Sequence, residues 1–180
     1  MMFTACPIAG AWLIAAEKST DERGFFARTH CVAEFTAHGL TATYRQSSIS
    51  HNKKRGTLRG MHYQARPHAE TKLVRCTAGA VHDVIVDIRP ASASFRRWFG
   101  VELSVDNGRA LYIPEGVAHG FLTLSDATDL LYMISVDYVA ESARGFRWND
   151  AAFGIKWPFA PALISARDAG YPDFAPAAKD

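Results

Sequence analysis

Cysteine is scarce in this 180-residue chain: Cys6, Cys31 and Cys76 are odd in number, far apart and outside any C-x-x-C spacing. That excludes a disulfide framework and a structural zinc site of the usual spacing, and it points to a reducing cytoplasm. Long apolar runs are missing too. The stretch from Ala5 to Ala16 is too short to span a bilayer, is interrupted by Pro7 and Gly10, and lacks the basic lead of a signal peptide. It is expected to be an opening strand. No sign of charge dominates, since 20 Lys and Arg stand against 18 Asp and Glu for a net charge of +2. With no basic tail or like-charge block, neither nucleic acid nor a membrane is the expected partner. Convincing helix is rare, and there is no internal repeat or low-complexity linker.

An apolar content of 48% fits one hydrophobic core over residues 1–180, with the end from Phe174 to Asp180 expected to fray. Period-2 alternation is the commonest pattern. Phe99, Val101, Leu103 and Val105 alternate with Gly100, Glu102, Ser104 and Asp106, which reads as a half-buried strand. Asn107-Gly108 follows, and an extended pattern resumes from Ala110 to Ile113, so a hairpin is expected there. Val84, Val86 and Ile88 share one strand face, as do Leu130, Tyr132, Ile134, Val136 and Tyr138. Short helices are expected over Val32 to His38, closed by Gly39, and over Pro161 to Asp168. Many strands joined by Gly and Pro turns predict a β-sandwich or a closed barrel.

Three segments carry polar groups suited to chemistry. In TLRGMHYQ (57–64), alternation puts Leu58, Gly60, His62 and Gln64 on one face and Arg59, Met61 and Tyr63 on the other. IPEGVAHGF (113–121) brings His119 just beyond a turn, and ETKLVRC (70–76) brings Lys72 close after Glu70. A barrel that gathers His62, His68, Glu70 and His119 could hold iron, manganese or zinc. The H-x-H pair that metal-dependent barrels of this kind usually place on one strand is absent, because Tyr63 and Gln64 follow His62. A lone histidine at a strand end is otherwise a structural hydrogen-bonding group.

Eight ordered motifs give the chain a wider resemblance: DERGFFAR (21–28), QSSIS (46–50), GTLRGMHYQ (56–64), KLVRC (72–76), VIVDIRP (84–90), LYIPEGVAHGF (111–121), RWND (147–150) and GIKWP (154–158). Over nearly its whole length it resembles the dTDP-4-dehydrorhamnose 3,5-epimerases, metal-free members of the cupin superfamily. The resemblance implies an all-β, cupin-like jelly-roll barrel with a few short helices. It also implies epimerisation at C3, C5 or both of a nucleotide-linked 4-keto-6-deoxyhexose, without cofactor or metal. Such a reaction needs a base on one face of the sugar, an acid on the other, and a positive donor at the ketone oxygen.

The resemblance assigns His62 as base, paired with Asp168, and Tyr132 as acid; Lys72 lies at the ketone and His119 also contacts substrate. It gives Tyr138 a stacking role on the nucleotide base. Arg59 and Arg23 match phosphate-binding arginines, with Arg23 reaching across from the partner in a homodimer. Gln46, Ser48, Ser50, Arg28 and Arg167 match positions that contact nucleotide or sugar. Arg28 stands where glutamate is usual, an acceptor replaced by a donor at the pyrimidine edge, which brings a CDP-linked sugar into consideration beside the dTDP-linked one. Ala143, Ser48 and Arg167 replace the more common glutamate, asparagine and lysine. Three other readings stay open at this point: epimerisation at C3 alone, a metal-dependent cupin, and a sugar-nucleotide binding module without chemistry.

Overall fold

The structure is a computed structural model that describes residues 1–175. Two antiparallel sheets face each other. The first is ordered β1 (Met2–Ala5), β2 (Trp12–Ala15), β10 (Arg109–Ile113), β7 (Lys72–Ala78), β12 (Thr128–Ile134) and β5 (Gln46–Asn52). The second runs β13 (Ala143–Gly145), β6 (Thr57–Gln64), β11 (Val117–Thr123), β8 (Ala80–Asp87) and β9 (Trp98–Ser104), with β14 (Leu163–Ile164) pairing parallel to β6. This is the expected jelly roll. A separate hairpin, β3 (Lys18–Asp21) and β4 (Gly24–Ala27), pairs only with itself. The helices are α1 (Val32–Ala37) and α2 (Ala166–Ala169).

Apolar side chains occupy both sides of the sheets. Val74, Cys76, Val81, Ile85, Leu103, Leu111, Phe121 and Leu130 fill the interior between them. On the outer face of the second sheet, Met61, Val84, Val86 and Ala118 are covered by Phe146, Phe153 and Trp157. On the outer face of the first, Phe35 of α1 seals Ile14, Leu73 and Tyr112. Burial on both faces explains why β8 reads as an almost continuous apolar run.

Several sequence expectations are corrected. Asn107-Gly108 does turn the chain, with Gly108 at φ 61°, but β9 pairs with β8 and β10 with β2 and β7. The turn therefore passes the chain from one sheet to the other, because a turn signal fixes a reversal and not a pairing partner. The apolar stretch from Ala5 to Ala16 is the turn and return of a hairpin, broken where Pro7 and Gly10 sit. Residues 161–168 form β14 and then the short α2. The strand carrying Tyr132 ends at Ile134, so Tyr138 lies in the following segment. Phe174 packs against Phe146 and Phe153, and its N–H donates to Asp150 Oδ2 at 2.6 Å, so the expected fraying does not begin there. Residues 176–180 lie outside the described residues.

Asp87, at the end of β8, is completely buried and gathers the following loop. Arg89 donates to both of its oxygens, from Nε at 2.8 Å and Nη2 at 2.7 Å, and the Ser92 and Ser94 hydroxyls each donate at 2.6 Å. Burial alone would raise the Asp87 carboxyl, but these donors overcome it and hold its pKa at about 2.

Candidate active site

The cleft, of about 300 Å³, opens between the sheets. Its geometry depends on an irregularity in β6. His119 lies opposite His62 and Phe121 opposite Arg59, so two residues of β11 span what three residues cover on β6. Such a bulge inserts one residue and reverses the alternation beyond it. Arg59 and His62 consequently line the same cleft, against the expectation that they point to opposite faces. Gly60 permits the bulge: its φ is 136°, and a Cβ there would meet Gly120 Cα at 2.6 Å.

The same glycine helps fix the histidine. Asp168 Oδ1 lies 2.8 Å from His62 Nε2, while its Oδ2 accepts the Gly60 N–H at 3.1 Å. Parallel pairing of β14 with β6 lays α2 against the bulge, and Ser165 Oγ caps α2 by accepting from Asp168 N at 3.1 Å. Burial alone would raise the Asp168 carboxyl, yet His62, Gly60 and Ser165 hold it below the usual carboxylate range. An ionised Asp168 accepts from Nε2–H and leaves the Nδ1 lone pair of His62 free. Tyr171 stands edge-on to the His62 ring, with centroids 5.9 Å apart.

The opposite wall belongs to the other sheet. Lys72 begins β7 and pairs with Glu70 at 2.8 Å, and Tyr132 stands on β12. Burial pushes the Tyr132 hydroxyl well above its ordinary value, and the negative charge of Asp83 adds to this, so the phenol keeps its proton. His119 meets Tyr132 edge-on, with centroids 5.8 Å apart, and its Nε2 lies 2.9 Å from Asp83 Oδ2. Asp83 is fully buried on the core-facing side of β8, and its Oδ1 meets no donor among the described residues. Sequence reasoning missed Asp83, although a lone acid among Val81, Val84, Ile85 and Val86 was the available signal.

Arg59, Tyr138, Arg144, Arg167 and Ser50 also line the cleft. Arg59 is held by Asn52 Oδ1 at 2.8 Å and the His51 carbonyl at 3.3 Å, and Arg167 Nε donates to the Tyr171 hydroxyl at 2.8 Å. Arg144 was not anticipated. Ala143, too, sits on the wall. Gln46 and Ser48 lie on the edge strand β5 outside the lining; Gln46 Oε1 accepts from the Tyr138 N–H at 3.1 Å, and Ser48 is paired across from Tyr132. Two further predicted contacts lie away from this cleft within the chain. Arg23 stands at the tip of the β3–β4 hairpin, 85% exposed and paired with Asp21, while Arg28 pairs with Glu34 at 3.2 Å.

Among the described residues, no group of three or more His, Cys, Asp or Glu side chains is placed to hold a metal ion. His62 and His119 each turn to a separate carboxylate, and His68 Nδ1 lies 2.9 Å from Ser142 Oγ.

The family model of dTDP-4-dehydrorhamnose 3,5-epimerase matches residues 5–176. The chain belongs to this family. It is 47% identical over 154 residues to the dTDP-4-dehydrorhamnose 3,5-epimerase of Salmonella typhimurium, covering 84% of each chain. The crystal structure of the Bacillus anthracis enzyme with TDP and PPi bound superposes with a TM-score of 0.93 at 36% identity, over 96% of this chain and 99% of that one. The Legionella pneumophila epimerase in complex with dTDP-4-keto-L-rhamnose gives 0.90 at 35% identity, over 96% and 92%. Members of the family are isomerases acting on sugar nucleotides, and this epimerase is one of them.

Proposed function

We propose that the chain converts dTDP-4-dehydro-6-deoxyglucose to dTDP-4-dehydrorhamnose, by removing protons beside the C4 ketone and returning them from the opposite side. One observation carries this reading: His62, oriented by Asp168, and the protonated Tyr132 face a single cleft from different sheets. A sugar ring between them has a base on one side and an acid on the other.

His62 Nδ1 takes the proton from the carbon next to the ketone, and the Asp168 carboxylate stabilises the imidazolium that forms. Negative charge moves to the ketone oxygen, where Lys72 donates, while His119, its Nε2 held by Asp83, borders the same part of the cleft. Tyr132 then delivers a proton to the other face of the carbon. The resulting tyrosinate is unfavourable in this desolvated position, so it regains a proton from solvent while the His62 imidazolium releases its own, and the cycle closes. Arg59 and Arg167 suit the diphosphate, with Ser50 at the sugar or nucleotide and Tyr138 stacking on the base. No cofactor enters these steps.

Thymidine is favoured over cytidine because the relatives are named for dTDP-linked sugars. Calorimetry with dTDP and CDP is expected to show the tighter binding for dTDP. The exposed hairpin supports a homodimer in which Arg23, and with it the segment leading to Arg28, reaches a neighbouring cleft; Gln46 and Ser48 then bound its outer rim. Three free cysteines and the absence, among the described residues, of any helix long and apolar enough to cross a membrane are consistent with work in the cytoplasm. The product would feed deoxysugar supply for polysaccharide.

Incubation with the 4-keto sugar nucleotide in deuterated water tests the assignment. Label is expected at C3 and C5 in the wild type, and label at C3 alone would make the enzyme a 3-epimerase. His62→Ala should lose exchange by about 10²- to 10⁴-fold. Tyr132→Phe should exchange without net inversion. Full activity of His62→Ala would sink the base assignment.

A further inference from the structure

Glu70 is the only acid among the described residues that line a cleft otherwise bordered by Arg59, Lys72, Arg144 and Arg167. In a site for a diphosphate, an unpaired carboxylate would repel the ligand, so its presence needs a reason. Glu70 lies two residues before Lys72, in the segment that leads into β7. Their charged ends are 2.8 Å apart, and the side chains are only 10% and 9% exposed.

No other anion lining the cleft is available to the Lys72 ammonium. Asp168 is committed to His62 and Gly60, and Asp83, whose Oδ2 meets His119, is not among the lining residues. In register, Lys72 sits across from Ile113 and Ile134, which offer it nothing polar from their side chains. A lysine is also a point charge on a flexible four-carbon stem, and without an anchor its donors have no fixed direction.

We propose that Glu70 is a positioning residue for Lys72: it anchors the ammonium on the wall opposite His62, so that the remaining donors face the oxygen on which enolate charge develops. The pairing also compensates the lysine's charge. Lys72 then competes weakly for the diphosphate, which is left to the arginines, and the sugar end of the substrate is directed to Lys72. A donor that answers mainly to charge appearing during the reaction contributes to kcat more than to ground-state binding. This inference rests on the epimerase reading for its effect on rate, but the anchoring itself can be observed without any reaction.

Glu70→Ala, Glu70→Gln, Lys72→Ala and the double variant Glu70→Ala/Lys72→Ala form the test. Glu70→Ala is expected to lower kcat by about 10- to 100-fold with KM changed far less, as misplacement of a positioned group does. Glu70→Gln keeps an acceptor at the same reach and should recover most of the rate. The double variant should be no slower than Lys72→Ala, because Glu70 acts through the lysine. Wild-type kcat in Glu70→Ala, or independent losses that multiply in the double variant, would overturn the proposal. If Glu70→Ala does not fold, Glu70→Asp replaces it, since a side chain shorter by one methylene pulls the ammonium away; equal kcat for the Asp and Gln variants would then be the overturning result.

Lysine ammonium ¹H–¹⁵N spectra of the free protein supply the separate readout. A slowly exchanging signal, assigned to Lys72 by its loss in Lys72→Ala, is expected in the wild type and in Glu70→Gln and should disappear in Glu70→Ala. An unchanged signal in Glu70→Ala overturns the anchoring whatever the activity. A wild type that exchanges no deuterium with any nucleotide-linked 4-keto sugar overturns the epimerase reading instead, and the spectra still decide the anchoring.

Discussion

Asp168 serves two neighbours at once, one oxygen on the His62 ring and the other on the Gly60 N–H. Replacing it with asparagine keeps its shape but removes the charge that fixes the Nε2–H tautomer and stabilises the imidazolium. Asp168→Asn is expected to fold, with kcat reduced about 100-fold or more, as loss of general-base support implies; near-normal turnover in a steady-state assay would contradict the proposed dyad. At this scale the sequence was legible where a residue sat inside a motif, as His62, Lys72 and Tyr132 do. The sequence marks Asp83 only as an acid in an apolar strand, and its meaning comes from His119 and Tyr132, which reach it from two other strands. Glu70 was seen in the sequence only as a candidate metal ligand, and its pairing with Lys72 emerges once both side chains are buried together.

Among the elements, β6 is the one whose irregularity makes the site. A regular strand would turn Arg59 and His62 to opposite faces, and the strand-period rule predicted that arrangement. Alternation is a property of uninterrupted pairing, so it fails wherever one strand carries an extra residue, and neither the bulge nor its partner β11 is visible in TLRGMHYQ. Gly60→Ala is expected to destabilise the protein by about 2–5 kcal/mol, combining an unfavourable φ with the clash against Gly120. Urea unfolding measures this, and activity should fall with it because Gly60 also holds Asp168. The same limit explains the misread Asn107-Gly108 connection. Turn chemistry is local, but the choice between pairing with β8 and pairing with β2 and β7 belongs to the two sheets as a whole.

For the whole molecule, the two-sheet architecture was legible from period-2 patterning and punctuation, and the cleft followed from their closure. Stability in acid depends on groups such as Asp87. Its carboxyl titrates at about 2 when folded, against an ordinary value of 3.8. A depressed folded value stabilises the protein above the ordinary value, and that stabilisation, roughly 2 kcal/mol, is lost as pH falls from about 4 to about 2. Asp87→Asn should therefore be less stable at neutral pH and lose less on acidification over that window, as measured by urea midpoints at each pH. Assembly is tested by subunit complementation. If Arg23 completes the neighbouring cleft, mixing unfolded Arg23→Ala and His62→Ala chains and refolding them should restore about a quarter of wild-type activity, as expected when half the symmetric dimers are mixed and each has one intact site. Activity no greater than the sum of the separate variants would rule out the crossing. The link between His62 and Asp168 joins residues 106 positions apart, and Asp168 follows the last strand of either sheet. During synthesis on the ribosome, then, the emerging chain delivers every described strand before His62 receives its carboxylate, so the proposed proton abstraction would await a nearly finished barrel.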